Sequence, residues 1–92
     1  MTTSFARELR RLHRTVLMMR TELHEGNVDE GLIADIGAQL EHGIALRPEA
    51  RHLNELVDAL REDLLTPRPE LYRDGIRSCD RLMDAISVLV HG

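Results

Sequence analysis

PELYRDGIRSCDRLMDAISVLV, residues 69–90, decides the reading of this chain, because one helix drawn through it carries two apolar seams. Tyr72, Ile76, Cys79, Met83, Ile86 and Val90 recur in steps of four and three, the helical period held for about five turns. Leu71, Gly75, Ser78, Leu82, Ala85 or Ile86, and Leu89 form a second seam, displaced by roughly 100° around a helix of 3.6 residues per turn. Only the arc of Arg73, Asp74, Arg77, Asp80, Arg81 and Asp84 is left for water. A helix apolar over so wide an arc needs neighbours on two sides. It is either the central packing element of a bundle or half of a subunit interface, and periodicity leaves both open.

Upstream of it, Thr66-Pro67-Arg68-Pro69 stops one helix and permits the next to begin at Pro69. The segment before that turns on Pro48, which either kinks one long rod or opens a new helix. If the rod continued, the face of Ile33, Leu40 and Ile44 would project onto Arg47, Arg51, Glu55, Asp58 and Glu62, all charged. The apolar set Leu53, Leu56, Val57, Leu60 and Leu64 lies roughly 160° away on the same cylinder. A reversal at Leu46 to Pro48 brings both faces to one core, with Pro48 in a first helical turn where its missing N–H does no harm.

The second helix takes Val28, Leu32, Ile33, Ile36, Leu40 and Ile44 as its core face, with Asn27 and Glu30 at capping-box spacing. The first takes Phe5, Leu9, Leu12, Val16, Met19 and Leu23, starts at a Thr3 or Ser4 cap, and stops at Gly26-Asn27. The expected fold is all-α: an antiparallel four-helix bundle with helices at about 4–25, 28–46, 48–65 and 69–90, in a single domain covering 1–92.

Composition agrees with that fold. Ninety-two residues with 42% apolar and 30% charged side chains suffice for one core and no second domain. The two aromatics, Phe5 and Tyr72, leave an aliphatic core, which suits helix packing. A lone cysteine, Cys79, closes no intrachain disulfide, and no leader-like or membrane-length apolar run is present, so the expected compartment is the cytoplasm.

Charge is unevenly spread. The formal net charge is −4, yet residues 1–20 hold five Arg against one Glu, and residues 21–45 hold six acids and no base. Within a bundle of sequential neighbours, the first helix's arginines are expected to face the second helix's acids.

No motif identifies a reaction. Glu49-Ala50-Arg51-His52 has the Glu-x-x-His form of di-iron bundles, but it occurs once where that architecture needs it twice, and neither His-x-x-x-His nor His-Glu-x-x-His occurs. Ser4, Ser78, Ser87 and Cys79 have no evident base, and no Gly-rich phosphate cradle exists. The chain therefore reads as a non-enzymatic module without metal or cofactor.

What remains is surplus apolar surface. Leu17 and Met18 lie off the first helix's stripe, Val88 lies off the fourth helix's first seam, and Leu71, Leu82, Ala85 and Leu89 sit on its second. On the second helix Gly31, Ala34 and Ala38 form a small-residue strip beside the main apolar face, where either tight internal packing or a partner groove is possible. Each interior glycine costs about 1 kcal/mol relative to Ala, so Gly31, Gly37 and Gly43 need a packing reason. These positions are the candidate interface, with a homodimer as the economical way to cover them. Arg7, Arg10, Arg11 and Arg14 cluster opposite the first helix's stripe and are the candidates for contacting an acidic partner. The expected function is burial of an apolar helix face against another protein, as antiactivators, inhibitors and secretion chaperones do. The alternative is a nucleic-acid-associated regulator using those arginines, which the net negative charge and scarcity of aromatics disfavour.

Overall fold

The computed structural model describes the backbone of residues 2–65 and 69–91 and the side chains of residues 5–65 and 72–91. Among these, the chain is all-helical. Four helices pack together: α1 (Thr2–His24), α2 (Glu30–Glu41), α3 (His52–Leu64) and α4 (Pro69–His91), with two short 3-10 turns, Ile44–Leu46 and Pro48–Ala50, between α2 and α3. The most extensive contacts join α4 to α1 and to α3; α2 packs mainly on α1 and more thinly on α3.

Two apolar seams on α4 have two neighbours within the same chain. Cys79, Leu82 and Ile86 are fully enclosed, and Tyr72, Ile76, Met83, Ala85, Leu89 and Val90 pack half-buried around them. Asp80 accepts from Arg20 Nε of α1 at 2.6 Å, and Ser78 donates to the Asp63 carboxylate of α3. At Gly75 the backbone comes so close to both neighbours that a Cβ would lie 3.1 Å from Leu23 and from Leu64. The helix is thus a central packing element. Leu82, expected at an interface, has 0% exposure and belongs to the core, because α3 covers the second seam. Leu71 falls outside the described side chains, and the expected helix stop at 66–68 lies outside the described residues.

The end of α1 follows from Gly26 at φ +82, a left-handed conformation glycine adopts without penalty. The Gly26 N–H donates to Leu23 O at 3.0 Å and the Asn27 N–H to Glu22 O at 2.9 Å, the paired bonds of a Schellman stop. This use of Asn27 corrects the expected start of α2. Its side-chain amide also donates back to Glu22, so it belongs to the preceding helix end, and Asp29 takes the cap, accepting from Gly31 N at 2.9 Å and Leu32 N at 3.2 Å. At the other helix start, α1 already includes Thr3 and Ser4, expected as caps, because nothing at Thr2 forbids helical geometry.

The reversal expected near Pro48 is present, but it is longer than two abutting helices allow. α2 stops at Glu41, and the first 3-10 turn carries Ile44 into the core at 1% exposure before Pro48 opens the second. Ile36, Leu40 and Ile44 then share one core with Leu53, Val57 and Leu60, as the phase of the pattern requires. Arg47 lies over the Phe5 ring, 4.5 Å from its centroid, and holds this connection against α1. Of the α2 glycines, Gly37 is buried beneath the Arg61 guanidinium of α3, whereas Gly31, Ala34 and Ala38 face solvent.

Leu82→Ala is expected to lower unfolding free energy by about 2–5 kcal/mol in denaturant titration, as a core truncation does. Val88→Ala, on the outer arc of the same helix at 68% exposure, is expected to change it by no more than about 0.5 kcal/mol. Equal effects would contradict the assignment of the second seam to the interior.

Candidate protein-interaction surface

α1 has two faces of opposite character. Leu9, Leu12, Val16, Met19 and Leu23 are buried along one stripe. Half a turn around lie Arg7, Arg14, Thr21 and Glu25, all exposed, with Arg10 and Leu17 on one flank and Arg11 and Met18 on the other. Leu17 is 45% exposed and Met18 51%, and they stand midway along the helix, between the arginines and the acids that follow. They line a shallow groove with Thr21 and Glu22 of α1, Leu32 of α2 and the capping residue Asp29. Apolar floor and acidic edge are therefore contiguous.

The four arginines do not pair with α2 as charge counting suggested. Among the described residues the ion pairs are Arg20 with Asp80 on α4 and, within α3, Arg61 with Asp58 at 3.8 Å. The physical reason is angular: Arg7, Arg10 and Arg14 point away from the core, and α2 lies beside α1 and not over it. Only Arg11 shares a cleft with acids, Glu8 and Asp35, alongside Gln39 and His42. The contact that fixes α2 to α1 there is neutral. Gln39 Nε2 donates to Thr15 Oγ1 at 2.9 Å, and that hydroxyl donates to Arg11 O at 3.1 Å. Thr15 falls between helix stripes, so periodicity gave no signal for it.

The other expected interface positions disperse. Leu89 and Ala85 are half-buried against the core, Leu82 is inside it, and Val88 stands alone among charged residues. Leu46 and Leu65, exposed at 78% and 77%, mark opposite ends of the reversal-to-α3 segment and form no patch with the α1 groove. Of the expected positions Leu82 lies in the core, and the other described ones are spread over separate surfaces. The two residues off the first helix's stripe, Leu17 and Met18, are the ones that meet in an accessible apolar groove.

Burial, and secondarily the Asp80 carboxylate, push the Cys79 thiol up to about 12, with Arg20 acting in the opposite sense. A thiol held protonated is a weak nucleophile. Ser87 shares a cleft with His13 and His91, but no hydrogen bond joins its hydroxyl to either ring among the described residues. Glu49 and His52 are both exposed, on a 3-10 turn and at the start of α3 respectively, and no group of three potential metal ligands gathers among the described residues. None of the described helices is long and apolar enough to cross a membrane.

Comparison of the chain with protein-family models, with curated proteins and with solved structures returns no match.

The Cys79 environment gives a pH signature. Between about 9 and 12 the unfolded chain loses the thiol proton while the folded chain keeps it, so stability falls as pH rises through that window. Relative to Cys79→Ala, the wild-type chain is expected to lose up to about 4 kcal/mol of unfolding free energy between those limits, at about 1.4 kcal/mol per unit. Parallel pH profiles for the two proteins would show that the thiol is not enclosed.

Proposed function

We propose that this chain is a small, non-enzymatic, cytoplasmic protein-binding module that acts by burying the outer face of α1 against another protein, in the manner of an antiactivator, inhibitor or chaperone-like regulator. The observation that carries this reading is the accessible Leu17–Met18 groove with charged groups on both sides of it. Apolar side chains held open at the middle of a helix, with charge at either end, match an interface whose centre supplies burial and whose rim supplies orientation. Methionine suits such a surface because its unbranched side chain adapts to the partner.

The scaffold under this face is an antiparallel up-down bundle. Arg20 of α1 meets Asp80 of α4, Leu23 lies at Gly75, and Arg10 and His13 share a cleft with Val90 and His91. Positions rise on one helix as they fall on the other, which supports the antiparallel course. An α1 gripped along its length by α4 offers a rigid outer face, so the entropy lost on association is small.

The four exposed arginines also favour a second reading, contact with nucleic acid. Against it stand the formal charge of −4 and the acids at the other end of the same face.

Affinity capture from the source cell tests the first reading. A protein retained by the wild-type chain is expected to be lost with Leu17→Glu/Met18→Glu and kept with Val88→Glu; retention by all three would move the interface elsewhere. On immobilised DNA at about 50 mM salt the chain is expected to pass unretained. Salt-dependent retention that disappears on replacing Arg7, Arg10, Arg11 and Arg14 would install the nucleic-acid reading instead.

A further inference from the structure

We infer that the outer face of α1 is self-complementary and that its occupant is a second copy of this chain, docked through an antiparallel α1–α1 pairing about a twofold axis beside Leu17 and Met18. The inference rests on the reading of this face as a protein interface and names its partner.

The first support is the order of groups along the helix. The exposed face runs from Arg7, Arg10 and Arg14, through Leu17 and Met18, to Glu22 and Glu25, with Asp29 just beyond the end of α1. The midpoint between the basic and acidic groups falls at the two apolar residues. A twofold axis there lays Leu17 of one chain on Met18 of the other. In that register Arg10 lies across from Glu25, and Arg7 reaches the turn that carries Asp29. Both halves are satisfied at once, as an isologous interface requires. A parallel pairing would set arginine against arginine. The one acid among the arginines, Glu8, does not intrude, because its carboxylate turns toward the connection that follows α2, where Oε2 would lie 3.5 Å from a Cβ on Gly43.

The second support is independent of any partner. An isolated helix favours acids in its first turns and bases in its last. On its outer face α1 departs from that order: its first turn holds no acid, Arg7, Arg10 and Arg14 follow, and Glu22 stands in its last turn beside the one base there, His24, with Glu25 just past its end. Because the dipole acts within the first and last turns, the cost falls chiefly on Glu22, about a few tenths of a kcal/mol, and the ion pairs among the described residues do not recover it, since the arginine of α1 that is paired is Arg20. Lying against an antiparallel copy recovers it, because each helix end then meets the opposite charge. A different protein that displaces the second copy must present the same sequence of basic, apolar and acidic groups.

Two charge-reversed chains test the pairing. Arg7→Glu/Arg10→Glu/Arg14→Glu leaves Arg11 as the one base on an otherwise acidic face; Glu22→Arg/Glu25→Arg leaves Asp29 as the one acid at the rim of an otherwise basic one. Neither change touches the buried stripe of α1, so both chains are expected to fold, which circular dichroism checks. In sedimentation equilibrium the wild type is expected to be a dimer that weakens with salt. Either variant alone is expected to dissociate about a hundredfold more readily, and an equimolar mixture to recover dimer of wild-type strength. In the mixture every acidic half again meets a basic one, a recovery that damage to the fold would not give. Met18→Cys, close to the axis, is expected to yield a disulfide-linked dimer on oxidation, Cys79 being enclosed. A wild-type monomer at about millimolar concentration, a dimer untouched by both reversals, or a mixture that stays monomeric overturns the proposal. A monomer that still loses its captured partner with Leu17→Glu/Met18→Glu would overturn the twofold pairing and leave the protein-binding reading standing.

Discussion

The enclosure of α4 between α1 and α3 is the constraint on which the rest of the structure depends. With two aromatics in the chain, the core is assembled from aliphatic side chains that each contribute about 1.5–3 kcal/mol when fully buried. Leu82 and Ile86, with the Cys79 thiol beside them, reach full burial because α4 is covered on two sides. Gly75 makes that possible at the far end of α1, where Leu23 and Leu64 close on the same backbone position. The polar contacts across these seams, Arg20 to Asp80 and Ser78 to Asp63, set the azimuth of α4, so that a slip by one residue would separate both pairs. Once α4 is fixed, the outward direction of α1 is fixed with it.

Periodicity made the stripes legible and left their coverage open. The steps of four and three identified the inner faces of all four helices, and the mismatch of phase across Pro48 identified the reversal, since a continuous rod would have exposed either Leu40 or Leu60. The same reasoning assigned too much of α4 to an interface. A second seam has the same pattern whether a neighbouring helix or another subunit covers it, and the answer lies in how α3 packs, a non-local property. Boundaries depended on competition among local hydrogen bonds. Asn27 and Asp29 are both capable caps; the Schellman closure of α1 engages the first and leaves the second for α2. The candidate site was half legible: Leu17 and Met18 stood out because they oppose the stripe, and the diversion of the arginines away from α2 depended on the angle at which the two helices lie.

Stability and association are thereby written on opposite sides of one helix. Leu12, Val16 and Met19 face inward and hold the bundle, while Arg14, Leu17 and Met18, adjacent to them in sequence, contribute little to it. Side-chain directions on a helix separate them by geometry alone. Changes on the outer face therefore alter association with small effects on folding, and the folded chain presents that face without having to rearrange.

The charge order of α1 joins these two levels. A sequence shaped for the stability of the isolated chain would put acids in the first turn of α1 and bases in its last, because the aligned peptide dipoles favour that arrangement at no cost in packing. The order observed on the outer face differs, with Arg7, Arg10 and Arg14 early, all exposed, and Glu22 and Glu25 late. The ion pairs among the described residues leave that order uncompensated, so any contact that compensates it lies outside the chain. The geometry limits what that contact is: an antiparallel charge sequence centred on an apolar pair. The chain itself meets this specification when turned about an axis beside the middle of α1.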